Sequence, residues 1–233
     1  IPRILNGEHL LLCSPTGSGK TLTAFLTIID DLVRRSLDGS LPDAVQCVYI
    51  SPIKALANDI EKNLMGPLGE IKERYLPSRA KEIKVGLRTG DTPQSEREKM
   101  LRKPPHILIT TPESLGLGLA SKRFRPILDQ MKWFIIDEMH SLVPTKRGTH
   151  LSLSMALMDS VVSSDVQRIG ISATMEPLDA VAEFLVASDS WESDIDPQKV
   201  AIAKISGDRE LDLDIILPTP RFSSIPVKEI LDH

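Results

Sequence analysis

A loop near the start of the chain carries residue types that hold phosphate groups. The segment Ser14-Pro15-Thr16-Gly17-Ser18-Gly19-Lys20-Thr21 lies between the apolar run 9–13 and a helical pattern over 20–36. Glycines at positions 17 and 19 let the backbone curl, so that successive N–H groups point at one phosphate. The helix N-terminus adds free N–H groups and the positive end of its dipole. Because Lys20 can reach the β- and γ-phosphates and the Thr21 hydroxyl can ligate Mg²⁺, we expect residues 14–21 to bind a nucleotide.

Two adjacent carboxylates follow a second apolar run, in the segment Trp133-Phe134-Ile135-Ile136-Asp137-Glu138-Met139-His140. A buried strand would place Asp137 at its carboxyl end, where open α/β sheets bind their ligands. There Asp137 can hold Mg²⁺, an ion that takes few carboxylates and keeps much of its hydration. Glu138 can orient or deprotonate an attacking water. Together with Lys20, the pair predicts the catalytic residues of a nucleotide hydrolase.

A third apolar run ends in two hydroxyl groups, in the segment Ile169-Gly170-Ile171-Ser172-Ala173-Thr174. Such hydroxyls can hydrogen-bond to His140 or to the acidic pair, and can thereby relay the nucleotide state. Ser-Ala-Thr has no predictive value on its own, so this interpretation depends on the first two segments.

In this order the three segments resemble motifs I, II and III of a superfamily 2 helicase, and the resemblance spans roughly residues 1–217. Between them lie segments that resemble motif Ia, the Gly-Asp segment and motif Ib, namely Ser51-Pro52-Ile53-Lys54-Ala55-Leu56, Arg88-Thr89-Gly90-Asp91 and Thr110-Thr111-Pro112-Glu113-Ser114-Leu115. Lys146-Arg147-Gly148, with the residues from Leu151 to Met158, is similar to the large helicase-related (Lhr) family. Ski2-like helicases share the Arg-Gly pair. Met139 departs from the small or β-branched residue usual at its position, which we interpret as a tolerated packing change.

The resemblance implies the first RecA-like motor domain of an ATP-dependent helicase, with ATP and Mg²⁺ as cofactors. It implies that His140, Ser172, Ala173 and Thr174 couple the nucleotide state to the grip on nucleic acid. The residues that it assigns to the nucleic-acid backbone are Pro52, Ile53, Lys54, Arg88, Gly90, Asp91, Thr111, Pro112, Glu113 and Ser114. The expected partners are single-stranded DNA, a DNA–RNA hybrid or RNA, and a second RecA-like domain of the same chain. In the family an adenine-reading segment lies ahead of residues such as Ile1–Leu5, so we expect base recognition outside this sequence.

Each segment also has a simpler interpretation. Ser14 stands where the strict phosphate-loop pattern has glycine, so the loop could be a Gly/Ser-rich turn that carries a lysine, and acidic strand ends are common. Lys54 could be a solvated lysine at a helix start, and Arg88 a surface charge. The residues 111–113 form a good helix N-terminus in their own right, with Thr111 as N-cap and proline at N1. A helix N-terminus can also bind a backbone phosphate, so residues 111–113 can both start a helix and contact nucleic acid.

Two other functions remain open from the sequence. One is a Ski2-like or DEAD-box RNA helicase of the same superfamily, although His140 in place of aspartate disfavours the DEAD-box branch. The other is a nucleotide-dependent clamp that binds nucleic acid without unwinding it. The complete set of Lys20, Asp137 and Glu138 disfavours a clamp.

Apolar runs alternate with helical patterns along the chain, which predicts an α/β fold with a mainly parallel sheet covered by helices on both faces. Strands are predicted near 9–13, 45–50, 82–87, 106–110, 133–137, 166–171 and 200–205. Helices are predicted near 20–36, 53–73, 94–102, 113–120, 148–162 and 177–186. In the first of these helices the spacing predicts core-facing Leu22, Phe25, Leu26, Ile29, Leu32 and Val33. One more strand is expected over 211–217, and the prolines beyond it predict a linker over 218–233 towards the second domain.

The resemblance also predicts a strand order. In RecA-like domains of this superfamily the strands that end at motifs II and III lie between the strands of motifs I and Ia. Three steps of about 4.8 Å would then separate Cys13 from Cys47 by ~14 Å, too far for a disulfide. We therefore expect two separate reduced thiols.

Composition limits how the chain can hold nucleic acid. The net charge is −4 and aromatic residues make up 4% of the chain, so neither a general basic coat nor a row of stacking aromatics is expected. Local contacts from backbone N–H groups and a few cations would have to hold the phosphates. Since no apolar run has the length of a transmembrane helix, we expect a cytoplasmic protein with no membrane partner.

Overall fold

A computed structural model describes residues 1–15, 19–78, 80–173, 177–186 and 200–205. Helices and strands alternate through them. The strands are β1 His9–Cys13, β2 Cys47–Ile50, β3 Val85–Arg88, β4 Ile107–Thr110, β5 Trp133–Ile136, β6 Gln167–Ser172 and β7 Val200–Lys204. The helices are α1 Pro2–Leu5, α2 Lys20–Asp38, α3 Lys54–Tyr75, α4 Gln94–Arg102, α5 Pro112–Leu119, α6 Met139–Leu142, α7 Lys146–Asp159 and α8 Leu178–Val186, with a 3₁₀ turn at Arg125–Leu128.

The seven strands form one sheet in the order β3-β4-β2-β5-β6-β1-β7. Every pairing in it is parallel. The predicted α/β class is confirmed. The predicted strand order is also confirmed, because β5 and β6 lie between β1 and β2. Cys13 and Cys47 are separate buried thiols.

The core lies on both faces of the sheet, as the alternation of side chains along a strand requires. In β2, Val48 and Ile50 pack into a cluster with the helices α5 to α8. Cys47 and Tyr49 point to the opposite face, into a cluster that contains Phe25 of α2. Strands covered on both faces are apolar throughout, which is why these runs carry little of the alternation of a half-exposed strand.

The strands and helices predicted up to residue 205 are all found, with ends that shift by up to three residues. The structure adds the short helices α1 and α6 and the 3₁₀ turn, which are too brief to leave a periodic signal. One prediction on α2 is wrong: Leu22 and Leu26 are 60% and 50% exposed. The buried face of α2 is instead centred on Ala24, Ile28 and Leu32, one residue round the helix from the predicted stripe.

No helix among the described residues is long and apolar enough to cross a membrane. The strand expected over 211–217 and the linker over 218–233 lie outside the described residues. So do Thr16, Gly17, Ser18 and Thr174 of the predicted site.

Candidate functional site

The sequence segments singled out above meet at one edge of the sheet. Because all seven strands are parallel, their carboxyl ends share this edge. The phosphate-loop, acidic and Ser-Ala-Thr segments follow β1, β5 and β6, which are neighbours. We call this the β1–β5–β6 half of the edge. The segments that resemble motifs Ia, Gly-Asp and Ib follow β2, β3 and β4, which are also neighbours, and form the β2–β3–β4 half. The two halves meet between β2 and β5.

The described part of the phosphate loop is tied to the sheet and to its own lysine. Gly19 has φ +79°, a left-handed conformation that favours glycine, at the N-cap of α2. The Lys20 ammonium donates to the carbonyl oxygens of Ser14 at 2.5 Å and Pro15 at 2.8 Å. The Ser14 N–H donates to the carbonyl of Ser172 on β6. Lys20 therefore lies over the loop backbone, where its charge can meet a phosphate held by the same loop.

The Asp137 carboxylate is buried and fixed by two donors. It is 5% exposed. Its Oδ2 accepts from the hydroxyl of Tyr49, and its Oδ1 accepts from the backbone N–H of Glu138 at 2.9 Å. Burial raises the pKa of Asp137, and the hydrogen bond from Tyr49 opposes that shift by favouring the carboxylate. Burial also raises the pKa of the Tyr49 phenol, so the hydroxyl remains a donor.

Glu138 has an unusual backbone. Its φ and ψ are +50° and +45°, which makes it a non-glycine residue with positive φ. This left-handed conformation is costly for a glutamate, and such residues cluster at functional sites. The turn is held by α6, where the backbone N–H and the hydroxyl of Ser141 both donate to the Glu138 carbonyl at 2.8 Å. The short helix thus fixes a half-buried carboxylate beside the buried one.

His140 links this carboxylate to the end of β6. Its Nε2 lies 3.3 Å from Oε2 of Glu138. Its Nδ1 accepts the backbone N–H of Ala173 at 3.2 Å, and the Ser172 hydroxyl lies 3.5 Å from the same nitrogen. Because the Ala173 N–H can only donate, Nδ1 is the acceptor and Nε2 carries the proton that faces Glu138. The predicted coupling residues 140, 172 and 173 are thus in contact.

A cavity of about 420 Å³ lies where these groups meet. Its walls come from α2, α3 and the end of β5, and they include Gly19, Lys20, Thr21, Leu22, Phe25, Ile60, Asn63, Leu64, Asp137 and Glu138. Two of these residues, Thr21 and Asp137, carry a hydroxyl and a carboxylate. These are oxygen ligands of the kind that Mg²⁺ takes, and one or two of them per site is usual when phosphates supply the rest.

In the β2–β3–β4 half, two of the residues predicted to contact nucleic acid, Lys54 and Asp91, form an ion pair with each other. The Lys54 ammonium lies 2.7 Å from Oδ1 of Asp91, with both side chains exposed. The turn at Gly90 is braced by Arg97, whose guanidinium donates to the carbonyls of Gly90 at 3.0 Å and Thr89 at 3.2 Å. An exposed ion pair of this kind contributes little to stability, so Lys54 can exchange partners readily.

Arg88 is less accessible than the sequence suggests. Its guanidinium carbon lies 4.4 Å from the centre of the Phe124 ring, and burial lowers its pKa. The side chain is half-buried against this ring rather than fully solvated. Arg88 therefore contributes charge close to the edge, with its orientation set by a cation–π contact.

The segment that resembles motif Ib begins α5, as predicted. Thr111 is the N-cap, its hydroxyl accepts the backbone N–H of Ser114 at 3.4 Å, and Pro112 is the first helical residue. Glu113 in the first turn is exposed and pairs with Arg147, with Nε–Oε1 2.6 Å and Nη2–Oε2 3.2 Å. The hydrogen bond from Arg147 lowers the pKa of Glu113. The same guanidinium donates to the carbonyl of Pro52 at 2.8 Å.

Arg147 therefore joins two segments that lie 61 positions apart in the chain, from 52 to 113. Gly148 beside it has no room for a side chain, because a Cβ would meet the carbonyl oxygen of Leu142. The Arg-Gly pair thus has a structural reason: the glycine allows close packing after α6, and the arginine reaches across to the edge.

Sequence reasoning assigned no role to Tyr49, Arg97 or Arg147. Arg147 was visible as part of the family resemblance. Tyr49 gave a weak signal as a tyrosine in an otherwise aliphatic buried strand. Arg97 gave none, because an arginine in a polar helix looks like surface charge.

The fold is that of a RecA-like domain. A family model described as DEAD/DEAH box helicase matches residues 1–182. The chain belongs to this DEAD/DEAH box helicase family.

Two relatives similar to this chain are Lhr-Core helicases. The chain is 49% identical over 228 residues to the ATP-dependent helicase Lhr-Core of Methanothermobacter thermautotrophicus, covering 97% of this chain and 26% of that protein. It is 43% identical over 232 residues to the Lhr-Core helicase of Methanocaldococcus jannaschii, covering 99% of this chain and 26% of that protein. The chain thus spans about a quarter of the length of these curated relatives.

A solved structure gives the same picture. The fold matches the Mycobacterium smegmatis helicase Lhr bound to ssDNA and AMP-PNP, with a TM-score of 0.80 and 39% identity over 99% of this chain and 29% of that chain. The predicted resemblance to Lhr helicases is confirmed by these matches.

Proposed function

We propose that this chain is the first motor domain of an ATP-dependent, Lhr-type helicase that acts on single-stranded DNA or a DNA–RNA hybrid. Residues 1–217 would form the motor domain, and 218–233 would lead to a second RecA-like domain. The observation that carries the proposal is the division of the edge into two halves. Residues for phosphate and metal chemistry gather after β1, β5 and β6, and segments suited to a nucleic-acid backbone gather after β2, β3 and β4.

ATP would bind with its phosphates on residues 14–21. Lys20 already lies over the loop backbone and supplies a charge that a phosphate can share. The N-terminus of α2 adds free N–H groups and a favourable dipole. Thr21 and Asp137 would hold Mg²⁺, which when bound neutralises charge on the phosphate oxygens.

Glu138 would position the water that attacks the γ-phosphate. Its carboxylate lines the cavity beside Lys20, and the left-handed turn holds it there. The neighbouring His140 contacts this carboxylate through Nε2 and the end of β6 through Nδ1. A change at the γ-phosphate that moves Glu138 would therefore also shift His140 and residues 172–174. We propose that this segment couples the nucleotide state to the grip on nucleic acid.

The β2–β3–β4 half would hold the sugar–phosphate backbone of one strand. The N-terminus of α5 presents the positive end of the helix dipole beside Thr111, which favours a backbone phosphate. Lys54 and Arg88 supply positive charge, and the turn at Gly90 and Asp91 brings backbone close to Lys54. Contacts of this type position a strand without reading its bases, in keeping with a translocating motor.

The other half of the active site would come from the second motor domain. In related phosphoryl-transfer systems an arginine supplied by a neighbouring domain or protein accelerates the reaction by ~10³–10⁵-fold. The chain on its own is therefore expected to bind Mg·ATP and to hydrolyse it slowly.

The test compares ATP hydrolysis and strand displacement in a longer protein that contains this chain and a second motor domain. ATPase stimulated more by single-stranded DNA than by RNA, with displacement of an annealed strand, supports the proposal. Stimulation by RNA alone would favour a Ski2-like helicase. Nucleotide-dependent binding without displacement would favour a clamp.

A further inference from the structure

Tyr49 lies at the boundary between the two halves of the edge, in the strand β2 that neighbours β5. It is fully buried, and its ring packs on Phe25 of α2 with the ring centres 5.2 Å apart. In the parallel register Tyr49 pairs with Ile135, two residues before Asp137. The ring therefore lies under the edge, and its hydroxyl reaches up to the acidic segment.

The hydroxyl meets the two residues that we assign to the metal. It donates to Oδ2 of Asp137. Thr21 is the other of these residues, and its side chain is near enough to lower the pKa of the phenol against the effect of burial. A buried phenol needs a partner, but any backbone carbonyl nearby would satisfy it. Here the partners belong to the phosphate loop and to the acidic segment.

Asp137 is held on both sides as a result. The backbone N–H of Glu138 fixes Oδ1, and Tyr49 fixes Oδ2. Two donors on two oxygens remove the freedom of the carboxylate to rotate, while each oxygen keeps a lone pair for another partner. Partners that orient a metal ligand in this way typically contribute about 10-fold or more to metal affinity.

We propose that Tyr49 is a positioning residue for the metal-bound nucleotide, which orients Asp137 relative to Thr21 through its hydroxyl. The proposal rests on the assignment of Thr21 and Asp137 to Mg²⁺ made above. Tyr49 makes no contact with substrate in this role and acts through Asp137.

The experiment measures binding of a non-hydrolysable ATP analogue to the 233-residue chain by calorimetry, over a titration of Mg²⁺. Tyr49→Phe keeps the ring and its packing and removes the hydroxyl. The matched control is Tyr75→Phe, because Tyr75 is 70% exposed at the far end of α3. Asp137→Ala and the double variant Tyr49→Phe/Asp137→Ala complete a cycle, and thermal unfolding of each variant checks the fold.

Tyr49→Phe is expected to raise the Mg²⁺ concentration for half-maximal analogue binding roughly tenfold, while binding without Mg²⁺ stays unchanged. Tyr75→Phe is expected to match the wild type. In the Asp137→Ala background, removing the Tyr49 hydroxyl is expected to change the Mg²⁺ midpoint less than about twofold, because a residue that acts through Asp137 has nothing left to orient.

Two results would overturn the proposal and leave the proposed function standing. An unchanged Mg²⁺ midpoint in Tyr49→Phe, while Asp137→Ala shifts it, would leave the metal site standing and remove Tyr49 from it. A Tyr49→Phe effect that persists in full without the Asp137 carboxylate would mean that the hydroxyl supports the fold and not Asp137. If the wild type itself shows no Mg²⁺-dependent binding, the proposed function fails and this inference fails with it.

Discussion

The two halves of the sheet edge place their polar groups in different ways. In the β1–β5–β6 half, Asp137 is buried with both carboxylate oxygens hydrogen-bonded, and Glu138 is held in a left-handed turn. In the β2–β3–β4 half, the charged groups form the exposed ion pairs Lys54–Asp91 and Arg147–Glu113. Preorganised buried groups suit chemistry on a small ligand, because they do not have to reorganise during reaction. Exposed ion pairs suit a long polyanion that must be gripped and released, because solvent screens them and partners exchange easily.

The largest expected effect tests whether the two carboxylates of the β1–β5–β6 half have separate roles. In a longer protein with both motor domains, Glu138→Gln should keep ATP binding and lose hydrolysis by roughly 10²–10⁴-fold, since an amide cannot act as a base. Asp137→Asn should instead weaken the Mg²⁺ dependence of binding, because the anchor for the metal is lost. Steady-state ATPase and analogue binding measure the two effects. Identical behaviour of the two variants would contradict the division of roles.

The next effect tests whether phosphate binding is confined to the β1–β5–β6 half. Lys20→Ala should reduce Mg·ATP affinity by at least about 100-fold, since a charge-assisted contact with the phosphates is removed. The fold should be unchanged, because the Lys20 ammonium donates to two carbonyls of its own loop, those of Ser14 and Pro15, and joins no strand to another. Calorimetry measures the affinity, and Lys122→Ala, at an exposed lysine outside both halves, is the control. Nucleotide affinity equal to the wild type would refute the assignment of the loop.

A smaller effect tests the contacts of Arg147 with Glu113 and Pro52 in the β2–β3–β4 half. Arg147→Ala should weaken binding of single-stranded DNA by roughly 5–10-fold and leave ATP binding within about twofold, because it frees the start of α5 from Pro52 without touching the cavity. Arg147→Lys should restore little, since an ammonium cannot replace the two-pronged contact. Fluorescence anisotropy at two salt concentrations measures the affinity.

The control for this prediction is Arg34→Ala. Arg34 is exposed and pairs with Asp30 on α2, so it loses the same charge away from the edge. If both substitutions reduce DNA affinity equally, the affinity depends on net charge and not on the contacts of Arg147 with Glu113 and Pro52.

The smallest effect concerns the packing beneath the acidic segment. A Cβ added at Gly170 of β6 would meet the sulfur of Met139 and would lie 3.0 Å from Cδ1 of Leu11. Gly170→Ala should therefore cost about 1 kcal/mol of unfolding free energy, at the low end for overpacking because methionine adapts its shape. Urea denaturation measures the change.

A second substitution shows whether Met139 is responsible. The double variant Gly170→Ala/Met139→Val should be less destabilised than the sum of the two single variants, because valine leaves room for the new methyl group. Gly66→Ala on α3 is the control, since a Cβ there meets nothing within 4 Å and should stabilise the helix by roughly 0.5–1 kcal/mol. Additive effects of 139 and 170 would contradict the proposed contact.

The sequence by itself determined the fold class and the β1–β5–β6 half in outline. Strand-ending apolar runs, the glycine and lysine of the phosphate loop and the adjacent carboxylates are local features, and local features can be read from neighbouring letters. The same holds for the start of α5, where threonine, proline and glutamate are the residues that a helix N-terminus prefers.

Where the sequence was wrong or silent, the cause was a partner distant in the chain. Leu22 was expected in the core and instead lines the cavity, because the sheet and α1 decide which side of α2 is covered. Arg88 looked like a free cation, but Phe124 comes from another part of the chain to cover it.

Tertiary structure alone decided the contacts between segments. Tyr49 reaches Asp137 across 88 positions, and Arg147 reaches Pro52 across 95. Such pairs depend on strand order and on the alternation of side chains between the two faces of the sheet, which no local pattern encodes. The parallel sheet brings all strand ends to one edge, and that geometry turns separate sequence segments into a single site.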